Sequence, residues 1–227
     1  MDNQKWYCDP EWVAIFVAFF SILSLGFIAI FQDWIKSCFR KPKLKIGIKL
    51  EPPDSHKIAF RKRGTGEFVC DSYYFRFKIE NEGNCHMEDV DVIATEKWQK
   101  NEDGKYEKDH NFLPLNLVWS HIRKQTMPRI HRQLFKYCDF GHIVESKYAN
   151  LERFGIPQSS KIIFRLDVAI EPNTGSHIIK AGDYKIKIII AANNLKPKAK
   201  IYNLILKDEW LDDEREMFAE NISIKEI

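Results

Sequence analysis

The side chains best suited to chemistry are scattered along this chain. Histidines stand at 56, 86, 110, 121, 131, 142 and 177, and cysteines at 8, 38, 70, 85 and 138. A metal site needs several such ligands converging, and neither HExxH, HxH nor CxxC occurs. Cys85 and His86 beside Glu88 come nearest. Adjacent residues on a strand or turn point in different directions, so an ion there would need Cys138 or His142 brought from elsewhere. No metal or other cofactor is expected. There is no GxSxG elbow and no glycine-rich loop ending in Lys-Ser or Lys-Thr, and Gly64-Thr65-Gly66 is too short to cradle phosphates. A triad assembled in space leaves no trace in one sequence. A catalytic role is therefore the least favoured function. An odd number of widely spaced cysteines does not read as a disulfide framework and fits reduced thiols.

Two basic stretches carry more chemical content. One comprises His56, Lys57, Arg61, Lys62 and Arg63; the other runs through His121, Arg123, Lys124, Arg129, His131, Arg132 and Lys136. Guanidinium and ammonium groups on loops can grip phosphate or carboxylate. The plain alternative is a solvated charged surface. From Asp208 to Glu220 the chain has seven acids and one Arg, which can shield one of these stretches. With 35 basic against 32 acidic residues, the net charge is only +3. Neither stretch has the interleaved aromatics of a single-strand platform, so nucleic acid is not an expected partner.

The elements that position these residues begin with a membrane anchor. Residues 12–31 read WVAIFVAFFSILSLGFIAIF, without a charge. Twenty helical residues at about 1.5 Å each span roughly 30 Å, a bilayer's hydrocarbon core. A basic leader and an A-x-A cleavage site are both missing, which argues against a cleaved signal peptide. Trp6, Tyr7, Trp12 and Trp34 suit the interfacial aromatic belts. Lys36, Arg40, Lys41, Lys43, Lys45 and Lys49 follow the span with no acid among them as far as Lys49. Basic flanks stay in the cytoplasm, so the chain is expected in the cell inner (plasma) membrane, single-pass, N-terminus out. Lys36, Arg40, Lys41, Lys43 and Lys45 form a cluster suited to anionic headgroups. Ala14, Ala18 and Ser21 share one helix face and would admit a second helix, although GxxxG is absent.

Beyond Pro42 the hydrophobic period becomes two. Alternation in KLKIGIKL (43–50), YYFRFKI (73–79), DVDVIATEKW (89–98), KIIFRLDVAI (161–170), DYKIKIII (183–190) and KIYNLILK (200–207) predicts strands, with a weaker one within 133–143. Glycine- and asparagine-bearing turns separate them. The expected fold is mainly β, an antiparallel immunoglobulin-like β-sandwich preceded by a single transmembrane α-helix. The predicted divisions are a short non-cytoplasmic stub (1–11), the transmembrane helix (12–31), a basic juxtamembrane linker (32–42), a cytoplasmic β-sandwich (43–207) and an acidic C-terminal tail (208–227). Within the sandwich, 113–132 with its two prolines reads as a long connection. Within the tail, 212–219 reads as a short helix and 222–224 as a strand.

FKIENEGNCHMEDVDV resembles the strand–turn–strand passage of bacterial adhesion-related immunoglobulin-like domains. Through RKPKLKI, EPPDSHK, YYFRFKIENEG, NFLPLNLVWS, DFGHI, FRLDVAI, AGDYKIKI and EMFAENI, the chain is similar to an uncharacterised prokaryotic family with one N-terminal transmembrane helix and an immunoglobulin-like β-domain. That resemblance implies a fold and a prokaryotic origin; it implies no catalytic residue. The expected function is a membrane-anchored cytosolic binding or adaptor module. Its partners would be the lipid bilayer together with a protein partner or another copy of itself. The alternative is an oligomeric membrane effector whose β-domain senses an anionic ligand while its helices assemble in the bilayer.

Overall fold

The computed structural model describes residues 10–62 and 64–227, with backbone alone at positions 33 and 35–39. Two units are distinct, 1–41 and 42–227. The first contains one helix, α1 (Pro10–Phe39). Its segment Pro10–Gln32 is long and apolar enough to cross a membrane, and none of it is covered by protein. Ser21 and Ser24 direct their hydroxyls back to the carbonyls of Val17 and Phe20, at 2.7 and 2.5 Å. That leaves the helix without an outward hydroxyl donor at these two positions. The helix runs eight residues past the expected end at 31, through the stretch predicted as a linker. No breaker precedes Pro42, whose ring disfavours helical backbone in the residue before it. Most of the expected stub, with Trp6, Tyr7 and Cys8, lies outside the described residues.

The second unit is built of strands. The first group is β1 (Leu44–Gly47), β2 (Ser55–Arg61), β3 (Phe68–Asn81), β4 (Met87–Lys100), β5 (Tyr106–Lys108), β6 (Leu115–Asn116), β7 (Val118–Trp119) and β8 (Thr126–Ile130). There follow β9 (Phe135–Glu145), β10 (Ile162–Leu166), β11 (Ile178–Lys180), β12 (Gly182–Ala192) and β13 (Leu195–Leu206). A single helical turn α2 (Glu214–Glu216) leads through a π-helical turn (Met217–Asn221) into β14 (Ile222–Glu226). One antiparallel sheet has the order β1-β3-β9-β10-β11, with β2 also along β3 and β7 along β9. The other has β14-β13-β12-β4-β5, with β6 and β8 also along β4.

Alternation explains why the sheets pack. Tyr73, Phe75, Phe77 and Ile79 of β3 are fully buried, as are Ile186, Ile188 and Ile190 of β12 and Val90, Val92 and Ala94 of β4, or nearly so. These residues belong to one continuous core that draws on both sheets. Each large side chain so buried contributes about 1.5–3 kcal/mol against the entropy of ordering the chain. A smaller cluster, Cys70, Val144, Ala149, Leu151, Ile163 and Ile178, sits on the other face of the first sheet under residues 146–156. For that reason β10 is buried on both faces along Ile162, Ile163 and Phe164.

Several expectations need correction. The predicted long connection 113–132 contains β6, β7 and β8, each pairing with a long strand. Their short length conceals any period. The strand β2 was not anticipated, because its pairing along β3 rather than its own pattern creates it. The weak strand near 133–143 is the eleven-residue β9, interior to its sheet. Strand β10 stops at Leu166; Val168 makes only an isolated bridge to Leu117, and Ile170 is exposed. The acidic tail is no appendage: Met217, Phe218, Ile222 and Ile224 enter the core, and β14 pairs with β13.

Candidate functional site

The sequence-predicted basic stretches are dispersed by the fold. Lys57, on β2, lies 3.3 Å from Asp71 and 3.6 Å from Asp212, and its backbone amide donates to Glu214. The acidic tail thus shields this lysine, while Tyr73 donates its hydroxyl to the carbonyls of Leu211 and Asp212 beside it. Arg61 donates to the Gly66 carbonyl at 3.2 Å, Lys62 is exposed, and Arg63 lies outside the described residues. In the second stretch, Arg129 is carried to β4 and lies 3.7 Å from Glu88. His131 meets the His86 ring edge-on at 4.6 Å, and Arg132 is exposed in the turn before β9. Among the membrane-surface cluster, Lys43 and Lys45 pair with Glu82 at 3.0 and 2.8 Å. Arg40 and Lys41 are exposed, and Lys36 lies in α1.

The turn carrying His121, Arg123 and Lys124 is set over a cluster of buried polar groups. The turn grows out of β7. Trp119 is fully buried and donates its indole N–H to the Val90 carbonyl of the opposing sheet at 3.1 Å. Its backbone then closes the turn in both directions: Trp119 donates to Lys124 and Arg123 donates to Trp119, each at 2.9 Å. Closure requires left-handed backbone at His121 (φ 69°) and Arg123 (φ 54°), neither of which is glycine. Such conformations cost about 1 kcal/mol or more each and persist only where the surroundings enforce them.

Beneath this turn lie two buried aspartates. Asp139 of β9 pairs in register with Val118, and Asp167 follows β10, its backbone amide donating to Phe140. The next residue after β7, Ser120, donates its hydroxyl to Asp139. Arg123 lies 3.7 Å from the other Asp139 oxygen and 3.4 Å from the Tyr74 hydroxyl. His142 sets Nδ1 3.1 Å from Asp167, stacks on Tyr74 at 5.6 Å and 8°, and takes the edge of Phe60 at 5.0 Å. The second oxygen of Asp167 is buried and has no hydrogen-bond partner.

Electrostatics follow from that geometry. Burial pushes the Asp139 carboxyl up to about 6 and the negative charge of Asp167 adds to this, while the Ser120 hydroxyl and Arg123 pull it down. Burial also raises the Tyr74 phenol well above its ordinary value, with both aspartates adding to the effect. Burial thus favours the protonated form of Asp139, and the second Asp167 oxygen is enclosed within the cluster, where Asp167 acts on the Tyr74 phenol. Ser120 directs its hydroxyl at a carboxylate rather than at the imidazole, which is not the order of a serine–histidine–aspartate relay. Cys70 and Cys138 are free and buried, and burial raises both thiols. Among the described residues no three His, Cys, Asp or Glu side chains converge as a metal would require.

Sequence reading found Arg123, His121 and Lys124 but missed Tyr74, Ser120, Asp139, His142 and Asp167. Asp139 and Asp167 do carry a signal: each is a lone acid inside a strand-like apolar run, CDF and LDV. Alternation puts Asp167 on the outer face of its strand and assigns no face at Asp139; both are buried where β7 and its turn lie across β9. Neither the models of known protein families nor the curated proteins give a match to this chain.

Proposed function

We propose that this protein is a membrane-anchored binding module whose recognition element is the turn at 119–124 over the Asp139–Asp167 pair. The observation that carries the reading is the coincidence of left-handed backbone at His121 and Arg123 with a buried, incompletely satisfied acidic pair directly below. Strain and orphaned polar groups cost stability, and they collect where a surface is built for contact. His121 and Lys124 are exposed, and the Arg123 side chain remains 61% exposed. Arg123 is engaged with Asp139, so the turn is better suited to a protein partner offering an amide or ammonium donor to the cluster than to a free anion. An immunoglobulin-like classification belongs to the same reading. It is supported by two antiparallel sheets sharing a core and by the passage of the chain from one sheet to the other between β3 and β4.

The span and its basic flank support an inner-membrane location with the β-unit in the cytoplasm. Topology is chosen as the chain inserts, before Lys43 and Lys45 find Glu82, so their later pairing does not weaken the argument. The test is amine-directed cross-linking of the full chain in its native membrane, beside Arg123→Glu, which keeps the Lys124 amine. One recurrent foreign partner joined near residue 124, and lost in the variant, is the expected result. Links to other copies of this chain alone would favour the oligomeric effector instead.

A further inference from the structure

The chain leaves its apolar stretch at Gln32 and joins the first sheet at Leu44. The turn between β8 and β9, the turn between β3 and β4, and the β12–β13 hairpin gather at the end of the β-unit that receives it. Register shows this directly. Leu44 pairs with Asn81, the last residue of β3, and Met87, the first of β4, pairs with Ile130, the last of β8. Asn193 donates its backbone amide to Glu88, Asn194 donates its side chain to His86, and Lys198 reaches the Leu44 carbonyl at 3.3 Å.

One buried side chain ties the arrangement together. Asn81, fully buried, donates to the Cys85 carbonyl at 2.7 Å and to the Ile130 carbonyl at 3.2 Å. Its oxygen accepts from the amides of Gly83 and Lys43, at 3.0 and 3.3 Å. The point where the chain joins the sheet is thereby fixed to two of the three turns. Gln133, itself in left-handed backbone (φ 58°), adds bonds to the carbonyls of Glu82 and Gly83.

What this end displays is unusual for a surface facing only water. Leu134 is 53% exposed and Phe135 44% exposed, side by side. Arg132 and Lys136 flank them in the chain and Lys196 follows the β12–β13 turn at the same end; all three are exposed and make no ion pair among the described residues. Of the neighbouring acids, Glu80 and Glu82 pair with Lys43, Lys45 and Lys78, and Glu88 with Arg129; exposed Asp89 accepts from the neutral Asn193 side chain and keeps its charge. Exposed aliphatic and aromatic side chains with unmatched cations at the same end suit the boundary between headgroups and acyl chains. The opposite end carries both signs, with Glu102, Asp103, Asp208 and Asp213 alongside Arg61, Lys62 and Lys105.

We infer that the end of the β-unit formed by residues 131–136 and 194–198 is a lipid-facing surface: Leu134 and Phe135 enter the interface, and Arg132, Lys136 and Lys196 contact anionic headgroups. This rests on the reading of α1 as a membrane span, extends the predicted basic cluster to residues distant in sequence, and holds for either orientation of the chain. Each cation near an anionic surface contributes about fivefold in partitioning.

The experiment is hydrogen exchange of the full chain in nanodiscs of phosphatidylcholine, and of phosphatidylcholine mixed with phosphatidylglycerol. Amides at 131–136 and 194–196 are expected to exchange about fivefold or more slowly in the mixed lipid, with 101–105 unchanged. Arg132→Glu combined with Lys196→Glu should erase the difference while protection within β3 and β9 stays as it was. Equal exchange of 131–136 in the two lipids would overturn the inference, as would a difference that survives charge reversal. A chain that does not enter nanodiscs at all would instead undo the reading of α1, a separable failure.

Discussion

Asp139 shows how a single residue acquires meaning from what covers it. Its carboxyl is 4% exposed and is pushed up to about 6, chiefly by burial. A folded-state value above the unfolded one means that the native state binds the proton more tightly. The resulting stability is fully present below the unfolded value near 4 and is lost as pH rises through about 6. Asp139→Asn mimics the protonated form and removes this dependence. Thermal melts of both proteins should therefore diverge between pH 4.5 and 7, the variant gaining on the order of 2 kcal/mol relative to the parent. Parallel curves across that window would show that Asp139 stays ionised in the folded protein. A direct contact partner of the turn should in addition bind the variant more weakly, because Arg123 would lose the charge that positions it.

At the scale of elements, the long antiparallel pair β3–β9 organises the first sheet, and its weakest tolerance lies at Gly141. The register slips between Phe75 and Arg76, which turns His142 and Asp139 to the same face. A Cβ at Gly141 would stand 2.3 Å from the Arg165 carbonyl oxygen and 2.6 Å from the Phe164 ring. Neither neighbour has room to give, since Phe164 is fully buried and Arg165 pairs with His142 in the ladder. Gly141→Ala should cost about 2–4 kcal/mol in chemical denaturation. A loss below about 0.5 kcal/mol would mean that β9 and β10 separate easily there. The tail is positioned by comparable means. Asp213 caps α2 by accepting the amides of Arg215 and Glu216, and Glu214 holds the backbone of β2. Acidic residues expected to shield a basic stretch thus also fix the tail against β2.

At the scale of the whole molecule, the proposed function requires the apolar stretch of α1 to stay joined to the β-unit. The full chain should remain with membranes through alkaline carbonate extraction and be released by detergent, and its mass should include residues 10–32. Release by carbonate, or a mature chain shortened past residue 32, would make that stretch a leader instead. In a bilayer, binding at the 119–124 turn and contact at the 131–136 end are separate surfaces of the β-unit, on opposite sides of β8 in the sequence. Reversing charge at one should leave the other intact.

Some of this was legible without coordinates, and the reason is local. An uncharged run of twenty residues is by itself long and apolar enough to cross a membrane, and period-two alternation defines strands such as β12 because each side chain reports its own face. Lone basic residues at 121, 123 and 124 were equally visible. Other features needed the tertiary structure, since they arise from pairs remote in the chain. Strand β2 exists because β3 extends past it, and β6, β7 and β8 are too short to show a period before β4 and β9 pair with them. Asp167 falls on the outer face of its predicted strand and Asp139 on no assigned face, and both are buried where β7 pairs across β9. The two turns that Asn81 ties to the start of β1 share no pattern in the sequence. Hydrophobic periodicity fixes which face of an element is buried, but desolvation of a charge and convergence of loops depend on what another element brings to that face, and only the packed sheets decide that.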